Sequence, residues 1–217
     1  MIPRKLKVWR ALNWPNRISL VRLMLVAPFV WLVMNQHHWL VARYVALGIF
    51  VVMAVSDFLD GMLARRTNAR TRLGAILDPL ADKVLIIFSV ILLSMSDFQV
   101  PGFRLPDYVV VAIVGKDLWV IGGFVVVYLV TDRFRVRPTK AGKASTVGQL
   151  AMVMAVLISP DLNRLAGGLG CRLALGMSWL AAGLSVLAVV SYTRLGLGFI
   201  IHEDKPLDEN HPQGRAT

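Results

Sequence analysis

Long apolar runs alternate along the chain with short polar connections rich in arginine and lysine. A run of about 20 mostly apolar residues is what a helix needs to cross the hydrocarbon core of a bilayer. The first run covers residues 18–34 and ends at the polar patch Asn35, Gln36, His37 and His38. The second covers residues 39–55 and meets Ser56 and Asp57; the third follows Asp82 and continues to Met95. Asp107 opens a fourth over residues 108–130. The fifth covers residues 144–159 and is expected to close at Pro160, and the sixth covers residues 173–192. The pattern predicts an all-α integral membrane protein with six transmembrane helices and short connections.

Composition agrees. Of 217 residues, 56% are hydrophobic and 17% are charged, whereas soluble domains run to roughly 45–50% apolar and about 25% charged. The chain is also basic, with 24 Lys+Arg against 13 Asp+Glu and a formal charge of +11. A nucleic-acid binder would account for the charge but not for the apolar excess. Disorder is excluded by the hydrophobicity, and a disulfide framework by the single cysteine, Cys171.

The basic residues sort by side. Eighteen of the 24 lie before or at the start of the first run, after the sixth, or on the second and fourth connections. The opposite connections hold Arg43, Arg104, Arg164 and Arg172, and Lys83 and Lys116 fall in or at the ends of spans. By the positive-inside rule both termini are cytoplasmic. The first run is long for a signal-peptide core and lacks a small-residue cleavage site, so it reads as a span. Residues 1–16 form an N-terminal segment, in which Ile2, Leu6, Trp9 and Leu12 suit a short interfacial helix among Arg4, Lys5, Lys7 and Arg10; an unstructured basic tail is the alternative. Residues 17–201 form the six-span domain, and residues 202–217 a polar tail.

The scarce acids carry the chemistry. Asp57 and Asp60 stand at the end of the second run, and Asp78 and Asp82 at the start of the third. Spacings of i,i+3 and i,i+4 put each pair on one helix face. Charges at the membrane boundary are expensive and need a reason. Four converging carboxylates repel, and hard divalent cations such as Mg²⁺ or Mn²⁺ are the fitting counter-charge. Two such ions suit phosphoryl chemistry. Gly61, Ala64 and Gly74 keep side-chain bulk away from the acids, or serve only close helix contact. Arg65 can reach a phosphate bidentately, whereas Arg66, Arg70 and Arg72 read as topology signals.

Asp57-x-x-Asp60-Gly61-x-x-Ala64-Arg65, then eight residues, then Gly74-x-x-x-Asp78-x-x-x-Asp82 resembles the full signature of the CDP-alcohol phosphotransferase family. That resemblance implies transfer of a phosphatidyl group from a CDP-linked lipid to an alcohol, with release of CMP. It implies that Asp57, Asp60, Asp78 and Asp82 hold two divalent ions, Mg²⁺ or Mn²⁺, with Asp82 also the general base. It implies that Asn16, Arg22, Gly61, Ala64, Arg65, Thr71 and Gly74 contact the CDP-lipid, that the site faces the cytoplasm (across the inner membrane in a bacterium), and that the protein is a homodimer. Nucleic acid has no place in this reading.

The acceptor is less determined. Pro15-Asn16-x-x-Ser19-x-x-Arg22 and Thr139-Lys140-Ala141-Gly142-Lys143-Ala144-Ser145-Thr146 resemble stretches of phosphatidylglycerophosphate synthases. Lys140 and Lys143 suit a phosphorylated acceptor such as glycerol 3-phosphate; a basic cytoplasmic loop is the plain alternative. Lys116, followed by Asp117 inside the fourth run, is either a third acceptor-binding residue or half of an internal ion pair that positions helices. Inositol phosphate, or phosphatidylglycerol in a cardiolipin-type synthase, are rival acceptors. A divalent-cation transporter would also use the aspartates, but has no use for Gly61 and Arg65 beside them.

Overall fold

The computed structural model describes the backbone of residues 14–67, 74–131 and 139–203, and the side chains of residues 20–39, 41–56, 83–123 and 139–198. Six helices follow in order: α1 (Trp14–Met34), α2 (Leu40–Thr67), α3 (Gly74–Ser94), α4 (Asp107–Thr131), α5 (Lys140–Leu165) and α6 (Leu169–Glu203). Among the described residues the only extended pairing is a single bridge between Val100 and Phe103.

Each apolar run falls on one helix, but the helices do not stop where the hydropathy stops. α2 continues past Val55 through Asp57, Asp60, Gly61, Ala64 and Arg65, and α3 begins at Gly74, so it carries Asp78 and Asp82 within its own length. A helix satisfies its backbone internally and needs no apolar side chains to continue into a wetter region. The expected stop at Pro160 is wrong: α5 runs on to Leu165 with Pro160 inside it. Proline removes one N–H, which orphans the carbonyl four residues earlier. That carbonyl belongs to Val156, and the Ser159 hydroxyl donates to it at 2.8 Å. The helix closes instead at Ala166, whose N–H reaches Leu162 O at 2.9 Å, and the chain turns through Gly168 at φ +78°. Residues 1–13 and 204–217, including most of the expected interfacial segment and tail, lie outside the described residues.

α5 and the Leu169–Gly198 part of α6 are long and apolar enough to cross a membrane; Leu20–Met34, Val41–Ser56 and Lys83–Ser94 are shorter apolar stretches. The outward faces are apolar too. Val111 and Leu118 on α4 are 72% and 66% exposed, and Trp179, Leu180, Val186 and Leu187 on α6 are likewise open. A surface of this kind fits lipid rather than water.

The helices pack as two groups of three. α1 lies against both α2 and α3, while α6 lies against both α4 and α5. In the first group Phe29 of α1 meets Phe50 of α2 with ring centroids 5.8 Å apart, over a core that includes Val33, Met53, Leu85 and Leu93. In the second, α6 buries small residues in a repeating row: Ala174, Ser178, Ala181, Ser185 and Ala188. They let α5 approach closely, and the two buried hydroxyls donate back to Ala174 O and Ala181 O.

Between the groups the contact is thinner; one apolar core, with Leu85, Leu93, Val109, Ile113, Met152 and Val156, runs across both, and a few polar ties join them as well. Toward the first turn of α2 and the last turns of α5, Arg43 of α2 is buried and donates to Leu157 O of α5 at 2.7 Å and to Asp161 at 2.8–2.9 Å. Tyr44 donates to the same carboxylate. Deeper in, Lys83 of α3 pairs with Asp117 of α4. Cys171 has partners the sequence did not reveal: its thiol reaches Gly102 O at 3.2 Å, and Asn163 bonds both its sulfur and its backbone N–H.

Gly170 sits where α6 starts against α5, and a Cβ there would overlap the Ser159 carbonyl group, which cannot rotate away. Gly176, one turn and a half further on, faces open space. Gly170→Ala is expected to destabilise the protein by about 1–3 kcal/mol, and Gly176→Ala to stay within about 0.5 kcal/mol of the parent. Unfolding of the detergent-solubilised variants measures both.

Candidate active site

The backbone of α2 is helical through Asp57 and Asp60, and that of α3 through Asp78 and Asp82. The i,i+3 and i,i+4 spacings are therefore spacings along real helices, and α1 packs against both. The side chains of these four aspartates, and of Asn16, Gly61, Ala64, Arg65 and Gly74, lie outside the described residues, as does Thr71 altogether. On the same α1, Arg22 is buried, with only 2% of its surface exposed. A guanidinium in that position inside an apolar bundle marks a functional region more often than a structural one. Chemically, four carboxylates are a donor set for hard divalent cations.

Immediately after Asp82 the described side chains resume with a polar chain across four helices. Lys83 of α3 donates to Asp117 of α4, and Lys116 approaches the same oxygen at 3.3 Å. Lys116 also reaches Ser145 Oγ of α5 at 3.4 Å. Gln149, one turn along α5, donates to Ser145 at 3.1 Å and to Ser185 of α6 at 3.0 Å. Ser185 gives its own proton to Ala181 O at 2.8 Å. In the Ser145–Ser185 contact of 3.3 Å the donor is therefore Ser145. With its proton committed, Ser145 presents lone pairs to Lys116 and Gln149. Lys116, Asp117, Ser145, Gln149 and Ser185 are all buried, whereas the Lys83 side chain is 36% exposed.

The start of α5 is the second basic element. Thr139 caps it, accepting from the Gly142 N–H at 3.0 Å, and Lys140 and Lys143 are exposed on the first turn. The positive end of a helix favours anions there, and the lysines add to that field. Gly142 is required because the ring of Tyr192 from α6 occupies the place its Cβ would take. Of the three lysines singled out from the sequence, Lys116 is thus buried in a network while Lys140 and Lys143 stand open at the helix start. Lys83, Asp117, Ser145, Gln149 and Ser185 were not singled out as site residues. The adjacency of Lys83 to Asp82 and the i,i+4 spacing of Ser145 and Gln149 were the available signals.

Gly142→Ala should push against Tyr192 and destabilise by about 1–3 kcal/mol, with Gly142→Ala/Tyr192→Ala recovering most of the loss relative to Tyr192→Ala alone. A double-mutant cycle of thermal unfolding reads this out.

A family model described as CDP-alcohol phosphatidyltransferase matches residues 12–191. The chain is 36% identical over 137 residues to a CDP-diacylglycerol–glycerol-3-phosphate 3-phosphatidyltransferase of Aquifex aeolicus, covering 63% of this chain and 70% of the relative. It is 30% identical over 158 residues to a protein of the same description from Cereibacter sphaeroides, covering 72% and 69%. It is also 32% identical over 165 residues to a human cardiolipin synthase (CMP-forming), covering 69% of this chain and 51% of the relative. The match takes in the first five helices, most of α6 and the whole carboxylate-bearing stretch, and the chain belongs to the CDP-alcohol phosphatidyltransferase family.

Proposed function

We propose that this protein is a membrane phosphatidyltransferase that makes phosphatidylglycerophosphate from CDP-diacylglycerol and glycerol 3-phosphate and releases CMP. The observation that carries this reading is its similarity to several relatives described as catalysing that transfer, over most of the chain. All eight motif positions, Asp57 to Asp82, are present as well. The human cardiolipin synthase supports a second reading in which phosphatidylglycerol is the acceptor. Three lysines favour the phosphorylated acceptor: Lys116, Lys140 and Lys143 supply cationic donors on α4 and α5.

In this reading six helices span the membrane with both termini in the cytoplasm, and the carboxylate ends of α2 and α3 face the cytosol. Asp57, Asp60, Asp78 and Asp82 would hold two divalent ions, Mg²⁺ or Mn²⁺, which supply charge stabilisation at the pyrophosphate. Asn16, Arg22, Gly61, Ala64, Arg65, Thr71 and Gly74 line the CDP-lipid. Asp82 takes the proton from the free primary hydroxyl of glycerol 3-phosphate, since an alcohol is a weak nucleophile at neutral pH. The oxygen then bonds to the phosphorus that carries diacylglycerol. The bond from that phosphorus to the bridging oxygen breaks, and CMP leaves with the electron pair. The protein acts as a homodimer.

A substrate panel tests the acceptor: CMP release from CDP-diacylglycerol is expected with glycerol 3-phosphate. Release only with phosphatidylglycerol or inositol phosphate would replace it. Asp82→Asn should lower turnover by at least about 100-fold while keeping most CDP-lipid binding; near-normal turnover would take the base role from Asp82. Chelation by EDTA should stop transfer, with Mg²⁺ or Mn²⁺ restoring it, and turnover that survives chelation would refute the two-ion site.

A further inference from the structure

Asp117 is the only described carboxylate that joins two lysines, one of them buried and the other 36% exposed. Lys116 lies buried beside it on α4, and Lys83 reaches it from α3, one residue beyond Asp82. Lysine carries its charge on a flexible four-carbon stem with three rotatable donors, so its direction has to be imposed by neighbours. Around Lys116 two of those neighbours are visible: the Asp117 carboxylate at 3.3 Å and the Ser145 hydroxyl oxygen at 3.4 Å. Ser145 is itself held by Gln149 and Ser185, so α4, α5 and α6 all contribute to where this ammonium points.

The charges matter as much as the contacts. Two ammonium groups sharing one carboxylate leave one positive charge among the three side chains. Without the carboxylate, two like charges would face each other across α3 and α4 in a region of low dielectric. We propose that Asp117 is a positioning residue for the acceptor, holding the Lys116 ammonium in the orientation that receives the acceptor's phosphate. It does this from the Lys83 tie to the helix that carries Asp82. The proposal rests on the reading of Lys116 as an acceptor-binding group. Asp117 works through that lysine and does not itself touch the acceptor, since a carboxylate would repel a phosphate.

The test uses the full-length protein in mixed micelles, with glycerol 3-phosphate and CDP-diacylglycerol varied in turn, for Lys116→Met, Asp117→Asn, the double variant and Asp117→Glu. Lys116→Met and Asp117→Asn are each expected to raise the KM for glycerol 3-phosphate about tenfold, with the KM for CDP-diacylglycerol changed by less than about twofold. The double variant should be no worse than Lys116→Met alone, because the two act as one unit. Asp117→Glu keeps the charge and should recover part of the acceptor KM. A normal acceptor KM in Asp117→Asn, beside a raised one in Lys116→Met, would overturn this inference and leave the Lys116 reading standing. A normal acceptor KM in Lys116→Met would remove both. Multiplying effects in the double variant, or a fall in kcat with an unchanged acceptor KM in Asp117→Asn, would make Asp117 a tie between helices only. If Asp117→Asn cannot be purified folded, Ser145→Ala carries the test. It removes the other visible partner of Lys116 with no change of charge, and should raise the acceptor KM about threefold; an unchanged value overturns the proposal.

Discussion

The sharing of the Asp117 carboxylate between Lys83 and Lys116 is the interaction on which the rest of this bundle depends. Lys116 and Asp117 are buried in an apolar bundle, where charges must find partners or not be there. That requirement fixes the height of α3 relative to α4. It also draws in Ser145, Gln149 and Ser185, whose polar atoms bond to one another and back to Ala181 O. A polar group of this sort is demanding: fully bonded it selects one arrangement, and half bonded it would cost more than an apolar core.

The second group of helices is built to serve that arrangement. Large side chains on α6 would hold α5 too far away for Ser145 and Ser185 to touch. The buried row from Ala174 to Ala188 removes that obstacle, and Gly170 and Gly142 do the same at the two ends of the hairpin. Gly142 lies in the first turn of α5, between Lys140 and Lys143. The close approach that permits the buried network therefore also sets where those exposed lysines begin. Thr139 adds the cap that starts the helix there instead of a residue earlier or later.

How much of this was legible in the sequence varied with the range of the interaction. The six helices were, because each apolar run is local and long. The carboxylate spacings were too, since i,i+3 and i,i+4 relations need only a helix. Pro160 misled because its helix-breaking effect is local, while its rescue by Ser159 depends on a hydroxyl finding the orphaned Val156 carbonyl. The pairing of Arg43 with Asp161 and of Lys83 with Asp117 was not legible. These partners are 118 and 34 positions apart, and only the packed bundle brings them together. Lys116 and Asp117 were visible as an unusual pair inside an apolar run. Whether they bound a ligand or each other was open from sequence; in the structure Lys116 approaches Asp117 at 3.3 Å, and Lys83 is the carboxylate's second partner.

The division into two groups of three helices gives the proposed chemistry a physical layout. The motif aspartates belong to α2 and α3, in the first group. Lys116, Lys140 and Lys143 belong to α4 and α5, in the second. In the proposed reading, donor chemistry and acceptor recognition belong to two groups of helices that share one apolar core and a few polar ties. Such a division leaves the seam between the units as the natural place for two substrates of different character, one lipid-linked and one water-soluble. It also raises the demand on the ties, because in-line transfer tolerates little misplacement of the attacking oxygen. Arg43 with Asp161 holds the seam at the opposite end of α2 from Asp57 and Asp60. Lys83 with Asp117 holds it next to Asp82, and the same carboxylate contacts Lys116; in the proposed reading one carboxylate thus sets both the spacing of the units and the direction of an acceptor-side charge.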